Sequence, residues 1–462
     1  MTALRNSNLL RLTVIGILLL SMEACRVGRV HSVPEMELPD TFEGVVADTN
    51  HMADIGWSTF YSDPILQRLI ARALKNNQNL LIAAERIKEL AAAKRIRFAD
   101  MFPAVGVDVY ANREYLNYEG KNKSYDPEIG GKFTIGWEVD LWGNLRWKHE
   151  AALAEYLQSI EAQKALQLTV VAQVAQIYFE LQSLDRELEI VRQTLDARRQ
   201  AVHFVKLRYD GGVTSEIPYR QSLVELARTE TLIPKLEEEI KLKEHDMSVL
   251  LGEFPSIIPR GSIEQQKFLD SLPIDLPSSL LERRPDIRQA EERLRQANAE
   301  VGVAKTDMFP KLRLSALLGG ENTDLSTFFS SPTWYVAGDL VSPLFQMGRK
   351  KAAYRAALAA HQQEVHRYQQ TVLEVFKEVE NALTSFNKCK EIRRSADALY
   401  RSASSYHDLA MLQYVNGIIS YIEVLDAQRQ MFDAEIAVND AMLSEWTSMV
   451  ALYKALGGGI QE

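Results

Sequence analysis

At 462 residues, with 46% hydrophobic and 25% charged side chains, the chain can bury substantial cores and is not disordered as a whole. Its net charge of −9 gives no reason to expect nucleic-acid binding, which needs a basic face. Two cysteines, Cys25 and Cys389, are too few and too far apart for a zinc site or a disulfide framework.

The N-terminus reads as an export signal. Arg5 and Arg11 precede the apolar run LTVIGILLLSMEAC, a charged region followed by an apolar stretch too short to span a membrane as a helix. The run stops at Cys25 and resembles a bacterial lipoprotein signal, in which that cysteine becomes the acylated first residue of the mature chain. Ala24 and Met22 fit such a signal, whereas Glu23 departs from the small or apolar residue usual there. The alternative is an ordinary cleaved signal with an incidental cysteine. Both readings export the protein, with residues 1–24 as the signal and 25–62 as an N-terminal extension.

The span Leu66–Met101, rich in Ala, Leu, Arg and Glu, predicts one helix that ends before Pro103. Two runs of period-two alternation follow within about 103–141. Val105, Val107 and Val109 form one; Phe133, Ile135, Trp137, Val139 and Leu141, alternating with Thr134, Gly136, Glu138 and Asp140, form the other. Between them LNYEGKNKSYDPEIGG predicts a long, wet hairpin loop. From Trp147 to Tyr209 there is neither proline nor glycine, and apolar residues from Val170 to Tyr209 recur by fours and threes. That is a heptad seam, interrupted only at Arg198. Roughly 60 helical residues predict a rod on the order of 90 Å. A return helix from about Glu216 to Gly252 completes a helical hairpin over about 147–252, with Leu226, Ile233, Ile240 and Met247 spaced by sevens. The proline-rich stretch 253–277 reads as a linker.

The second half repeats the first. DMFP recurs at Asp307–Pro310 after Asp100–Pro103, LQYVNGIIS follows LRYDGGVTS, and ALGG follows LLGE, the last two pairs with one offset of 205 residues. Two copies of one unit are therefore expected, 63–252 and 278–458. In the second, strands within about 310–343 carry Leu312, Leu314 and Ala316, then Trp334, Val336 and Leu340, around the loop GGENTDLSTFFSSP. A helical hairpin over about 349–456 has its seam at Val365, Tyr368, Val372, Val375, Val379, Ala382, Phe386 and Cys389, which makes Cys389 a packed core thiol.

No nucleophile–base pair, phosphate loop or metal-spaced His or Cys cluster is visible, and YDGG and YVNG lack the further oxygens of an EF-hand. Glu423 and Asp426, three apart just after the Asn416–Gly417 break, share a helix face. From spacing alone they are a solvated face or a charged lining. Gly212 and Gly417 end the long helices where the chain reverses, a task for a residue that takes positive φ freely.

Two stretches carry a resemblance over most of the chain, about residues 30–458. GWSTFYSDPILQRLIARALKNNQNLLIAAERI and LPSSLLERRPDIRQAEERLRQANAEVGVAKTDMFPKLRLSALLGG look like the signatures of TolC-like outer-membrane factors, specifically the lipoprotein branch that serves multidrug efflux pumps. The resemblance implies a mainly α, internally duplicated protomer with a small β part. Three such protomers give four strands each to a twelve-stranded outer-membrane barrel, and their helices form a periplasmic tunnel. It implies a homotrimer in outer-membrane lipid, partnered by a periplasmic adaptor and an inner-membrane pump, with no enzyme activity, cofactor, metal or nucleic acid. It further implies lipidation at Cys25 and a gate at Glu423 and Asp426. Where family members can carry a closing arginine this chain has Ile419, and the facing Thr-Asp positions are Ile217 and Pro218, so an apolar gate contact of Ile419 and Ile217 near Tyr414 is expected. Gly212, Val213, Gly417 and Ile418 are the expected adaptor contacts. The alternatives are a type I protein secretion duct and a non-conducting coiled-coil lipoprotein.

Overall fold

The computed structural model describes residues 27–39, 42, 55–118, 122–265, 277–322, 330, 332–342 and 345–459. The export signal and Cys25 lie outside them, as do parts of the 253–277 linker and of the loop GGENTDLSTFFSSP. Contacts divide the chain into two compact units. The first holds Arg86–Ile160, Gln289–Gln369 and the described part of Met1–Glu35. The second holds Glu161–Arg288, Gln370–Glu462 and the described part of Met36–Glu85, so each unit draws on both sequence repeats.

The helix expected over Leu66–Met101 is two helices. After the single turn α1 (Trp57–Phe60) come α2 (Pro64–Asn76) and α3 (Gln78–Ala99). The break is Asn77, in extended backbone at φ −60° and ψ 122°. Its side-chain oxygen accepts from the N–H groups of Asn79 and Leu80 at 3.0 and 3.3 Å, which caps a new helix. Its amide donates to the Leu250 carbonyl at 2.9 Å, a partner no local pattern reveals.

In the first unit, β1 (Ala104–Tyr118), β2 (Asn122–Val139), β3 (Lys311–Asn322) and β4 (Pro332–Val341) form one antiparallel sheet in the order β1-β2-β3-β4. The expected loop LNYEGKNKSYDPEIGG is mostly strand, because backbone pairing runs on through polar residues, from Ala104↔Gly136 to Tyr118↔Asn122. Gly319–Asn322 likewise belong to β3. Pro127 stands opposite Arg113 of β1 and lies beyond the end of the β2–β3 pairing, which begins at Ile129.

The register sorts side chains by face. Val105, Ile135, Ala316 and Val336 stand in one row, and Val107, Phe133, Leu318 and Trp334 in the next. Val105, Val107, Val109, Phe133, Leu318, Trp334, Val336 and Leu340 are all exposed. The opposite face is polar: Lys132 stands 3.7 Å from Asp108, the Tyr110 hydroxyl lies 3.0 and 2.8 Å from the Glu128 and Glu321 carboxylates, and Lys311 and Arg313 flank Glu138. Trp137 and Trp142 end the sheet by donating to the Met101 and Pro310 carbonyls at 3.0 and 2.8 Å.

The long helices are α4 (Asn144–Asp210) and α8 (Arg349–Val415), 67 residues each; the returns are α5 (Glu216–Leu250) and α9 (Tyr421–Ala455), 35 residues each. Between the repeats lie α6 (Pro277–Arg283) and α7 (Pro285–Thr306). In the second unit Val170, Val174, Leu181, Leu188, Val191, Leu195 and Val205 of α4 are buried as their spacing requires, and so are Val372, Val375, Val379 and Ala382 along α8; Tyr368, in the first unit, is buried too. Cys389 departs from expectation: it is half-buried. The α5 seam also departs. Leu226 and Ile233 are half-buried, and the buried line is Ser222, Glu225, Thr229, Leu236, Ile240, Glu244 and Met247. Its tip end is polar because it faces Arg198, which the α4 seam had left as an interruption.

Arg284 explains the RRPD stretch. Its guanidinium is buried in the second unit, donating to the Ala455 carbonyl at 2.5 Å and pairing with Asp286 and Glu378 at 2.6 Å each. One side chain thereby pins the start of α7 to α8 and to the end of α9. Among the described residues no helix is long and apolar enough to cross a membrane.

Candidate functional site

The two hairpin tips lie in the second unit. Both long helices end in the same hydrogen-bonded turn: Gly212 N–H donates to Tyr209 and Val213 N–H to Arg208, each at 2.9 Å, while Gly417 donates to Tyr414 at 3.0 Å and Ile418 to Gln413 at 2.9 Å. This pattern satisfies the last carbonyls and needs a left-handed residue. Gly212 has φ +70° and Gly417 φ +75°, with nothing within 4 Å of where a Cβ would stand. Conformation, rather than room, requires glycine there. Val213 and Ile418, the next residues, are exposed to 67% and 70%.

The returns start differently. In α9 the Glu423 carboxylate accepts from the Ser420 N–H at 2.6 Å and from its hydroxyl at 3.0 Å. Asp426, one turn on, accepts from the Gln430 amide at 2.7 Å. Both carboxylates are exposed. In α5 the position matching Glu423 is Pro218, and the position matching Asp426 is Gln221, so only the second tip carries the acidic face.

Tyr414 and Ile419, expected at an apolar gate contact, are packed inside the tip. Tyr414 is buried with Val205, Tyr421, Val424 and Leu425, and Ile419, Tyr219 and Met411 close over that cluster. The Arg208 guanidinium lies 5.0 Å from the Tyr414 ring centre. Burial pushes the Tyr421 hydroxyl up to about 12. Ile217, the other half of the expected contact, is 66% exposed and not part of this cluster. Ile419 instead packs on a cluster to which Val205 of α4 and Tyr421, Val424 and Leu425 of α9 contribute together.

A buried ionic layer sits farther from the turn. Arg198 of α4 donates through Nη1 to the Glu225 carbonyl at 2.8 Å and to the Thr229 hydroxyl. Its Nη1 stands 3.3 Å from Glu225 Oε2, and its guanidinium covers the Phe432 ring at 5.7 Å. Arg429 of α9 donates to Glu225 Oε1 through Nε at 3.1 Å and through Nη2. Burial pushes Arg198 down from its ordinary value. For Glu225 burial acts upward, yet the Arg429 hydrogen bond and the two arginine charges hold it below the usual carboxylate range. Sequence reading singled out Arg198 only as a gap in a seam and missed Glu225 and Arg429; the available signal was a charge at a seam position. Among the described residues no group of three or more His, Cys, Asp or Glu is placed to hold a metal.

Residues 69–253 and 276–458 match the profile of the outer membrane efflux protein family. The chain belongs to that family. It is 31% identical to the outer membrane protein OprJ of Pseudomonas aeruginosa, over 96% of this chain and 95% of the relative. It is 30% identical to the probable outer membrane lipoprotein SilC of Salmonella typhimurium, over 89% of each. A crystal structure of a membrane protein from Pseudomonas aeruginosa matches with a TM-score of 0.88 and 29% identity, covering 94% of this chain and 98% of that one. The chain is thus an outer-membrane efflux channel protein, and the two faces of its sheet follow from that setting. Exposed Val, Leu, Phe and Trp face hydrocarbon, and the Lys132–Asp108 and Tyr110–Glu128 side faces water.

Proposed function

We propose that three copies of the chain close their sheets edge to edge into one barrel and pass small solutes outward, without chemical transformation, from an inner-membrane pump coupled through a periplasmic adaptor. One observation carries this reading. The four-stranded sheet has a continuous apolar face and leaves β1 and β4 each with an unpaired edge. Lipid does not tolerate open edges, and four strands are too few to close a barrel alone. The test is the assembly itself. A heat-modifiable trimer in outer-membrane fractions that conducts in planar bilayers is expected; a soluble monomer without conductance overturns the reading.

The second tip is the periplasmic gate. The exposed carboxylates of Glu423 and Asp426, repeated around the axis, would concentrate cations at a narrow opening. Tyr414 and Ile419 serve it from inside the tip by packing α9 against α4 and α5. The adaptor meets the tips at Gly212, Val213, Gly417 and Ile418, where the turns expose apolar side chains. A crosslinking scan with the copurified adaptor should give products at Val213 and Ile418; products only far from both tips would refute the docking site. Cys25 carries the lipid anchor. Cys25→Ser should abolish incorporation of labelled palmitate, and unchanged labelling would refute acylation there.

A further inference from the structure

In the first unit a cavity of about 790 Å³ lies where the helices meet the sheet. Five cations line it from four elements: Arg97 of α3, Lys148 of α4, Lys311 of β3, and Arg349 and Lys350 of α8. Lys311 also stands 3.3 Å from Glu138 of the polar sheet face, so the cavity lies on the side of the sheet that faces water. Three of the cations have partners: Lys311 lies 3.5 Å from Asp307, Lys350 donates to the Asp307 carbonyl, and Arg97 lies 3.3 Å from Asp100. Lys148 and Arg349 form no ion pair among the described residues. None of the five repeats. Their counterparts in the other copy are Ala304, Ala353, Ala104, Asn144 and Leu145, so the shared architecture requires a charge at none of these positions. Helix stability does not explain them either. Arg349, Lys350 and Lys351 fill the first turn of α8, which has no acidic residue, and cations there oppose the helix dipole.

We propose that this cavity is a binding subsite of the duct for organic anions with an apolar body, such as an aromatic sulfonate or carboxylate. The inference rests on reading the chain as a conducting duct. Charge within the cavity is sorted along the helices. The five cations sit at the sheet end, whereas Glu155 and Glu300 lie seven residues from Lys148 and Asp307 along α4 and α7, about 10 Å away from the sheet. An anionic group is therefore drawn to the sheet end and repelled from the other, which orients the solute. Between these ends Ala151 and Ala152 of α4, Val303 and Ala304 of α7 and Ala353 of α8 offer apolar surface to the rest of the molecule. Ala304 and Ala353 stand in the places of Arg97 and Lys148, so at these paired positions one copy supplies charge and the other apolar surface. Arg97 and Arg349 are exposed and the three lysines half-buried, so each holds an anion weakly and they act by summation. That suits a site which must release what it binds.

The test uses the full-length protein in planar bilayers of zwitterionic lipid, with naphthalene disulfonate added on the extracellular side. The dianion should block the wild-type current, less so as salt is raised, and the double variant Lys148→Gln/Arg349→Gln should need on the order of tenfold more of it. Lys351→Gln removes a cation of the same helix turn that does not line the cavity, and should leave the block unchanged. Sulfate, a dianion without an apolar body, should block less. A conducting wild type that naphthalene disulfonate does not block, or equal block in the double variant, overturns the site. An equal shift from Lys351→Gln, or equal block by sulfate, overturns its assignment to an organic anion held in this cavity. Should the double variant fail to assemble, Lys148→Gln alone decides, with a shift of about threefold expected and none overturning the site. If the wild type carries no current, the duct reading fails by itself. Titration calorimetry of the same dianion with the purified protein then decides the site: weaker binding to the variant supports it, and equal binding overturns it.

Discussion

At Gly212 and Gly417 the backbone takes φ of +70° and +75°, and in each turn the following residue, Val213 or Ile418, donates back five residues along the chain. A few residues later the tips part. The third position of α5 is Pro218, which has no N–H and no side-chain acceptor, whereas the third position of α9 is Glu423, which accepts from the Ser420 N–H. One turn farther, Gln221 stands where the other tip has Asp426, and the seam beyond holds Glu225 on one side and Gln430 on the other. Duplication preserved what backbone geometry demands and released what only side chains decide. The difference teaches where to look for function: a residue that repeats serves the turn, and one that does not repeat is free to serve something else.

The comparison breaks most severely at the seam. Glu225→Ala strands Arg198 in a buried position and should destabilise the second unit by about 3 kcal/mol, read by thermal or denaturant unfolding. Gln430→Ala, at the matching exposed position, should change stability by less than about 0.5 kcal/mol. Next come the turns themselves. Gly212→Ala and Gly417→Ala force an L-residue into the left-handed region and should each cost about 1 kcal/mol, equally at both tips. Unequal costs would show that the turns are less alike than their hydrogen bonds. Removing the cap sharpens the contrast: Glu423→Ala should cost about 0.5–1 kcal/mol and speed amide exchange at Ser420 and the first turn of α9, while Pro218→Ala should not weaken the first turn of α5. The smallest stability effect is expected at Asp426→Asn, near zero, with a reduced cation preference as its only mark.

The ionic layer also sets a pH window. Glu225 is held below its unfolded value, so its contribution is complete above the ordinary carboxylate range and is lost progressively as pH falls from that range through its folded value. The groups around it are Arg198 of α4, Arg228 of α5, and Tyr421, Arg429 and Asp433 of α9. The arginines keep their charge through that window, so carboxylate protonation governs the change. Unfolding followed against pH should show the second unit losing this contribution progressively on acidification, and Glu225→Gln should remove that pH dependence.

Much of the fold was legible because it rests on periodicity. The 67-residue helices and the two-faced strands follow from spacings of 3.5 and 2, and the duplication from segments recurring at an offset of 205 residues, all of which the sequence records directly. The strand lengths were not legible. LNYEGKNKSYDPEIGG is polar and lacks the period-two alternation that marks a strand, yet backbone pairing continues through most of it. Asn77 was missed for another reason, since its amide finds the Leu250 carbonyl 173 residues away. At the tips the glycines and the acidic pair could be read, while the packing of Tyr414 and Ile419 could not, because it depends on Val205 of another helix.

By itself the sequence determined where the chain turns, which positions repeat, and that the acidic face belongs to one hairpin, because these depend on backbone conformation and side-chain period. Tertiary structure alone decided that Arg198 and Arg429 share the Glu225 carboxylate. The pairing needs three helices at once, and a buried charge declares its partner only when packing brings that partner within hydrogen-bond reach.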